Sequence, residues 1–67
     1  MEYTIVVTKR INSSINGFNN SVEATMTQHS VNVNEMISKG WMPIGGITFV
    51  TVNGCWGEVC QAMLKED

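Results

Sequence analysis

Sixty-seven residues make a single domain, 1–67, and a chain this short buries only about 60% of the surface its unfolded form exposes. Six acidic against four basic residues give a net charge of −2 with no basic run, which argues against DNA or RNA as a partner. No apolar run approaches the roughly 18 residues of a membrane span and no signal peptide is read, so the expectation is a cytoplasmic protein with no membrane partner.

Charged residues are sparse and the chain holds five methionines, a composition that suggests apolar surface covered by another subunit. The two cysteines, without a secretory context, read as reduced thiols.

The run Tyr3–Thr8 is rich in β-branched residues and predicts a first strand, with Tyr3, Ile5 and Val7 on one side and Thr4, Val6 and Thr8 on the other. Residues 11–20 are dominated by Asn, Ser and Gly and read as a polar loop or arm. Asn16-Gly17 is its turn, flanked by Ile15 and Phe18. A helix follows over Ser21–Lys39, with Asn20 as N-cap and Glu23 completing a capping box. Val22, Met26, His29, Val33, Met36 and Ile37 form its apolar stripe. Thr25, Thr27, Ser30, Val31 and Asn32 are mediocre helix formers, so the helix needs tertiary packing.

The stop is well marked. Gly40 sits where a left-handed residue ends a helix, Lys39 suits the negative end of the dipole, and Pro43 blocks any return to helix. Trp41 lies between them, placed to close one end of a small core. Two more strands are predicted, Ile44–Val52 and Cys55–Leu64, joined by Asn53-Gly54 as a two-residue type I′ turn. Without interruption that turn pairs Val52 with Cys55, Val50 with Gly57, Thr48 with Val59 and Ile44 with Met63. One face then carries Val50, Val52, Val59 and Met63, and the other Ile47, Phe49, Trp56 and Leu64. Cys55 and Cys60 fall on opposite faces, which excludes a bond between them. The fold class expected is α+β: a small βαββ domain, a three-stranded, mainly antiparallel sheet with one helix on one face. Both sheet faces are largely apolar and one helix covers only one, so the sheet is expected to oligomerise.

Signals for chemistry are few. His29 on the helix stripe reads as a packed or interface histidine, with no orienting carboxylate pattern beside it. A metal site needs more ligands than this spacing offers, and no cofactor is implied. Gly45-Gly46 lacks the lysine and hydroxyl residue of a phosphate loop and reads as a bulge or a close backbone approach. No catalytic residue is assigned and no enzyme is expected. Lys9 and Arg10, beside Asn12, Ser13 and Ser14, form a basic pair suited to an anion, with a solvated strand end as the plain alternative. Trp41 and Trp56 are suited to stack on a base, with core packing as theirs.

Three segments carry a resemblance: Val33 to Ile37, the run Gly40-Trp41-Met42-Pro43-Ile44-Gly45-Gly46, and Gln61 to Lys65. Together they resemble a family of very short bacterial and phage proteins of unknown function. That family has a Gly-Trp-x-Pro-x-Gly-Gly motif and a closing Gln-Ala-Met-like strand. The resemblance implies a βαββ fold that tends to oligomerise, and it brings no established catalytic residues. The chain departs from the pattern between Ile11 and Gln28, where it is longer, and at His29, where the pattern prefers an aliphatic residue.

Two functional readings follow. One is a non-catalytic homo-oligomer binding a small anionic or nucleotide-like ligand through Lys9, Arg10, Trp41 and Trp56, by analogy of size with phage proteins that sequester nucleotide immune signals. The other is a structural or regulatory protein–protein interaction module without a small ligand.

Overall fold

The structure is a computed structural model that describes residues 1–12 and 18–66. The chain runs β1 (Glu2–Lys9), α1 (Phe18–Ser38), β2 (Met42–Val52) and β3 (Cys55–Lys65). The strands form one sheet in the order β1-β3-β2, antiparallel throughout. A tight turn leaves Val52 and Cys55 no choice but to pair, and β3 then runs back up the centre of the sheet to meet β1. The expected α+β class and βαββ order hold. Among the described residues no helix is long and apolar enough to cross a membrane.

The two turns that set this order behave as their residues require. Asn53 and Gly54 both take positive φ, 53° and 81°, as the type I′ turn demands. At the end of α1, Gly40 has φ 97°, its N–H donates to the Ile37 carbonyl at 3.0 Å, and the Trp41 N–H reaches the Met36 carbonyl at 3.2 Å. These two bonds are those of a Schellman stop, which satisfies carbonyls that the helix leaves free.

The helix start differs from expectation. It begins at Phe18, so Ser21 lies inside it and the expected Asn20 cap does not mark the boundary. Asn and Ser read as loop because their side chains compete for the backbone. Here tertiary anchoring overrides that preference. The Ile11 N–H donates to Thr25 Oγ1 at 2.9 Å, and the same hydroxyl donates to the Ser21 carbonyl at 2.7 Å. One threonine thus ties the exit of β1 to the early turns of α1. The proposed hairpin arm around Asn16-Gly17 lies outside the described residues.

The helix also turns a different side to the sheet. Ser21, Thr25 and His29 are buried, whereas Val22 and Met26 are half-buried and Ile37 is 44% exposed. The inward row is polar because β1 offers it a polar partner, Thr8, and buried polar groups persist where they bond one another. The fully buried apolar side chains among the described residues are Val59 and Met63.

Two irregularities interrupt the register, and the first redistributes the sheet faces. Pairing shifts between Val50 and Thr51, where Gly57 is the extra residue of β3, and again between Ile44 and Thr48, around Gly45-Gly46. Phe49 therefore opposes Val59, Thr48 opposes Cys60 and Ile44 opposes Ala62, not the partners that an uninterrupted register assigns. The one extra residue at Gly57 exchanges the faces that follow it, so the two expected apolar sets are shuffled. The second shift sets three residues of β2 against one of β3 and changes partners without changing faces. The helix side holds Thr4, Val6 and Thr8 opposite Met63, Gln61 and Val59. The open side holds Tyr3, Ile5 and Val7 opposite Leu64, Ala62 and Cys60, continued on β2 by Met42 and Ile44. Cys55 and Cys60 are both free, although the shift between them removes the alternation on which that expectation rested.

The Gly45-Gly46 bulge is stabilised from beneath. Gln61, 5% exposed, directs its side-chain Nε2 to the carbonyls of Ile44 at 3.0 Å, Ala62 at 3.1 Å and Gly45 at 3.3 Å. Gly45 has φ 70°, whereas Gly46 does not take a positive φ, and a Cβ built at either meets no atom within 4 Å. Replacing Gly45 with Ala should therefore cost about 1 kcal/mol or more through backbone strain alone, and Gly46→Ala much less. Urea unfolding of the two variants checks this; equal losses would show that the left-handed backbone at Gly45 is not what requires glycine.

Candidate functional site

The sites expected from sequence do not converge. Lys9 opposes Glu58 and is exposed on the open side of the sheet, away from its neighbour Arg10. Trp41 sits where α1 gives way to β2, its ring 5.8 Å from Lys65 Nζ. Met42, next to it, opposes Leu64, while Trp56 lies at the other end of β3. At 3.2–3.4 Å per residue the two indoles are separated by roughly 25 Å of strand. Only Arg10 and Trp56 are brought together.

Their meeting is set by backbone pairing at the Gly57 bulge. The Arg10 N–H donates to the carbonyl of Gly57 at 2.8 Å, which fixes the residue just past β1 beside Trp56. The guanidinium carbon then lies 4.8 Å from the Trp56 ring centroid, and Nη1 makes a long bond to the Trp56 carbonyl at 3.4 Å. Phe49 stands edge-on to the same indole, with ring centroids 5.4 Å apart and planes at 85°. Phe49 opposes the buried Val59, so the cluster lies on the helix side, yet it is 44% exposed because α1 does not extend over that part of β2. Arg10 Nε is buried without a hydrogen-bond partner, an unspent donor in this cluster. A cation on an indole face beside a second, exposed ring provides one charge for an anion and, at Phe49, an aromatic surface for a flat group.

Farther along the covered face is a group that the sequence left undeveloped. His29, 3% exposed, has Nδ1 2.7 Å from Thr8 Oγ1. Asn32 Nδ2 donates to the same hydroxyl at 3.0 Å, and Gln28 Nε2 donates to Asn32 Oδ1 at 2.9 Å. The Thr8 hydroxyl accepts from Asn32 and has both a proton and a second lone pair to offer His29 Nδ1, so either neutral tautomer satisfies that nitrogen, while Nε2 is buried with no partner. Burial holds the His29 pKa below its usual 6.5. The spacing of Gln28, His29 and Asn32 was readable; that Thr8 would face them depended on the helix's rotation. Among the described residues no three His, Cys, Asp or Glu side chains gather to hold a metal ion.

No protein family, curated protein or solved structure matches this chain.

Between the lowered pKa of folded His29 and 6.5, the unfolded chain binds more protons than the folded one, so stability rises with pH across that window. The contribution is fully present above pH 6.5 and is lost as pH falls through the window. Urea midpoints measured between about pH 8 and pH 5.5 should fall on acidification, and less steeply in a His29→Gln variant. Identical slopes in both proteins would show that His29 is not the group titrating.

Proposed function

We propose that the protein is a non-catalytic binding module, working as an oligomer, that takes a small anionic, nucleotide-like ligand where Arg10 and Trp56 meet. The observation that carries this reading is the guanidinium 4.8 Å above the Trp56 ring, with Phe49 beside it on an uncovered stretch of the sheet. A phosphate accepts charge-assisted bonds from the guanidinium, while a base gains by stacking on an exposed ring. Lys9 and Trp41 play no part in this version of the site. Sequestration, not turnover, is the activity assigned, because His29, the side chain best suited to acid–base work, is buried beneath the helix away from the cluster. By analogy of size alone with phage proteins that sequester nucleotide immune signals, such a nucleotide is the ligand to try first, in the cytoplasm where Cys55 and Cys60 stay reduced.

The second reading, an interaction module without a small ligand, draws on a different observation. Tyr3, Ile5, Val7, Met42 and Ile44 are 60%, 51%, 47%, 54% and 37% exposed on one sheet face. A thermal-shift panel of nucleotides and cyclic nucleotides separates the two, since a ligand of the folded state raises its melting temperature. On the first reading at least one member shifts the melt, and Arg10→Ala weakens its binding by about 1 kcal/mol or more in calorimetry. A flat panel, or unchanged affinity in the variant, contradicts it.

A further inference from the structure

We infer that the open face of the sheet is the interface of a two-fold homodimer, the occupant being the same face of a second copy; this names the surface behind the oligomer in the reading above. The register brings Tyr3, Ile5 and Val7 of β1 beside Leu64, Ala62 and Cys60 of β3, with Met42 and Ile44 completing the face on β2. Scattered apolar residues on a surface mean little, but a contiguous row across three strands marks a contact.

Size favours a second copy. Strands of 8 to 11 residues, three abreast, give a footprint of roughly 35 by 14 Å, on the order of 500 Å² before side-chain relief is added. Standard interfaces take about 800 Å² from each partner, so the whole face, relief included, is of the size one copy needs. Charge points the same way. The charged residues of this face, Lys9 and Glu58, are cross-strand neighbours of opposite sign at one end. The face is neutral and does not repel its own copy, whereas a strongly acidic or basic partner gains nothing from it.

The β1–α1 link offers no substitute. It is residues 10–17, of which Arg10 and Ile11 are held on the helix side by bonds to Gly57 and Thr25, and at about 3.5 Å per residue the rest is too short to run the length of the face and return. Two such sheets pack about 10 Å apart with strands crossing near −30°. The helices and both Arg10–Trp56 clusters then lie on the outside, one ligand site per copy and none at the interface.

Light scattering at micromolar concentration tests the contact. The unmodified protein should weigh twice its 7.4 kDa. Ile5→Glu, which brings carboxylates into the apolar contact, should halve that mass, while Val31→Glu on the exposed side of α1 should not. Circular dichroism confirms folding, and Ile44→Lys on another strand serves where Ile5→Glu does not fold. A monomeric unmodified protein, or folded Ile5→Glu and Ile44→Lys variants that both remain dimers, overturns the inference. Binding of adenosine monophosphate to the Ile5→Glu monomer, at the affinity of the unmodified protein, supports sites outside the interface. The two readings fail separately: scattering judges the dimer, and nucleotide titration with Arg10→Ala judges the ligand site.

Discussion

One helix cannot cover both faces of a three-stranded sheet, and most features of this chain follow from which part of the sheet it does cover. α1 lies chiefly along β1, the edge strand farthest from β2, and the described side chains of β2 are exposed almost throughout. The result is a thin slab of 44 × 23 × 14 Å with a radius of gyration of 13.2 Å, where about 11 Å is usual for a chain of this length. Among the described residues Val59 and Met63 are the fully buried apolar side chains, a small apolar interior beside which polar bonds do more of the positioning. Thr8 bonded to His29 and Asn32, and Thr25 bonded to Ile11, fix where the helix lies. Such bonds are worth about 1 kcal/mol each net, but leaving one partner buried and unbonded costs more, so they select one docking geometry.

The glycines of the sheet act at a second level. Gly57 as the extra residue of β3 brings Phe49 opposite Val59 on the covered side, next to Trp56, and its carbonyl anchors Arg10. Gly45-Gly46 shifts the register of β2 by two residues, which leaves Met42 and Ile44 on the open face but brings them opposite Leu64 and Ala62, and Gln61 holds the carbonyls that the bulge releases. Each bulge thereby serves a different surface: the one near the turn builds the cationic–aromatic cluster, and the one near the helix stop draws the start of β2 level with the apolar residues of β3.

What could be read from the sequence depended on whether the signal was local. Gly40, Pro43 and Asn53-Gly54 dictate backbone conformations by their own stereochemistry, so the helix stop, the hairpin and the βαββ element order were legible. The face of β1 was legible as well, because Tyr3, Ile5 and Val7 alternate without a break. Gly45-Gly46 was recognised as a bulge candidate, but Gly57 was not, and one unrecognised extra residue is enough to exchange the partners of Phe49 and Val59. The helix was misread where propensity and context disagreed: Asn19 and Asn20 look like loop, and the inward row looks too polar to be inward. Its rotation is decided by Thr8 across the gap, a partner that no window of local sequence contains. For the same reason the basic pair Lys9-Arg10 was split, since adjacent residues on an extended chain face opposite ways.

The proposed assembly follows from the same constraint as the fold. A face of apolar side chains next to a small polar-clamped interior leaves more to gain from association than from any rearrangement within the chain, and a neutral face can meet its own copy. The most direct measurement is a set of isotope-filtered NOEs in a mixture of labelled and unlabelled chains. Face-to-face dimers predict intermolecular cross-peaks among Tyr3, Ile5, Ile44 and Leu64, and none to Val31 on the outer side of α1. Intermolecular peaks that involve Val31, or no intermolecular peaks at all from a protein with the line widths of a 7.4 kDa monomer, would contradict the claim.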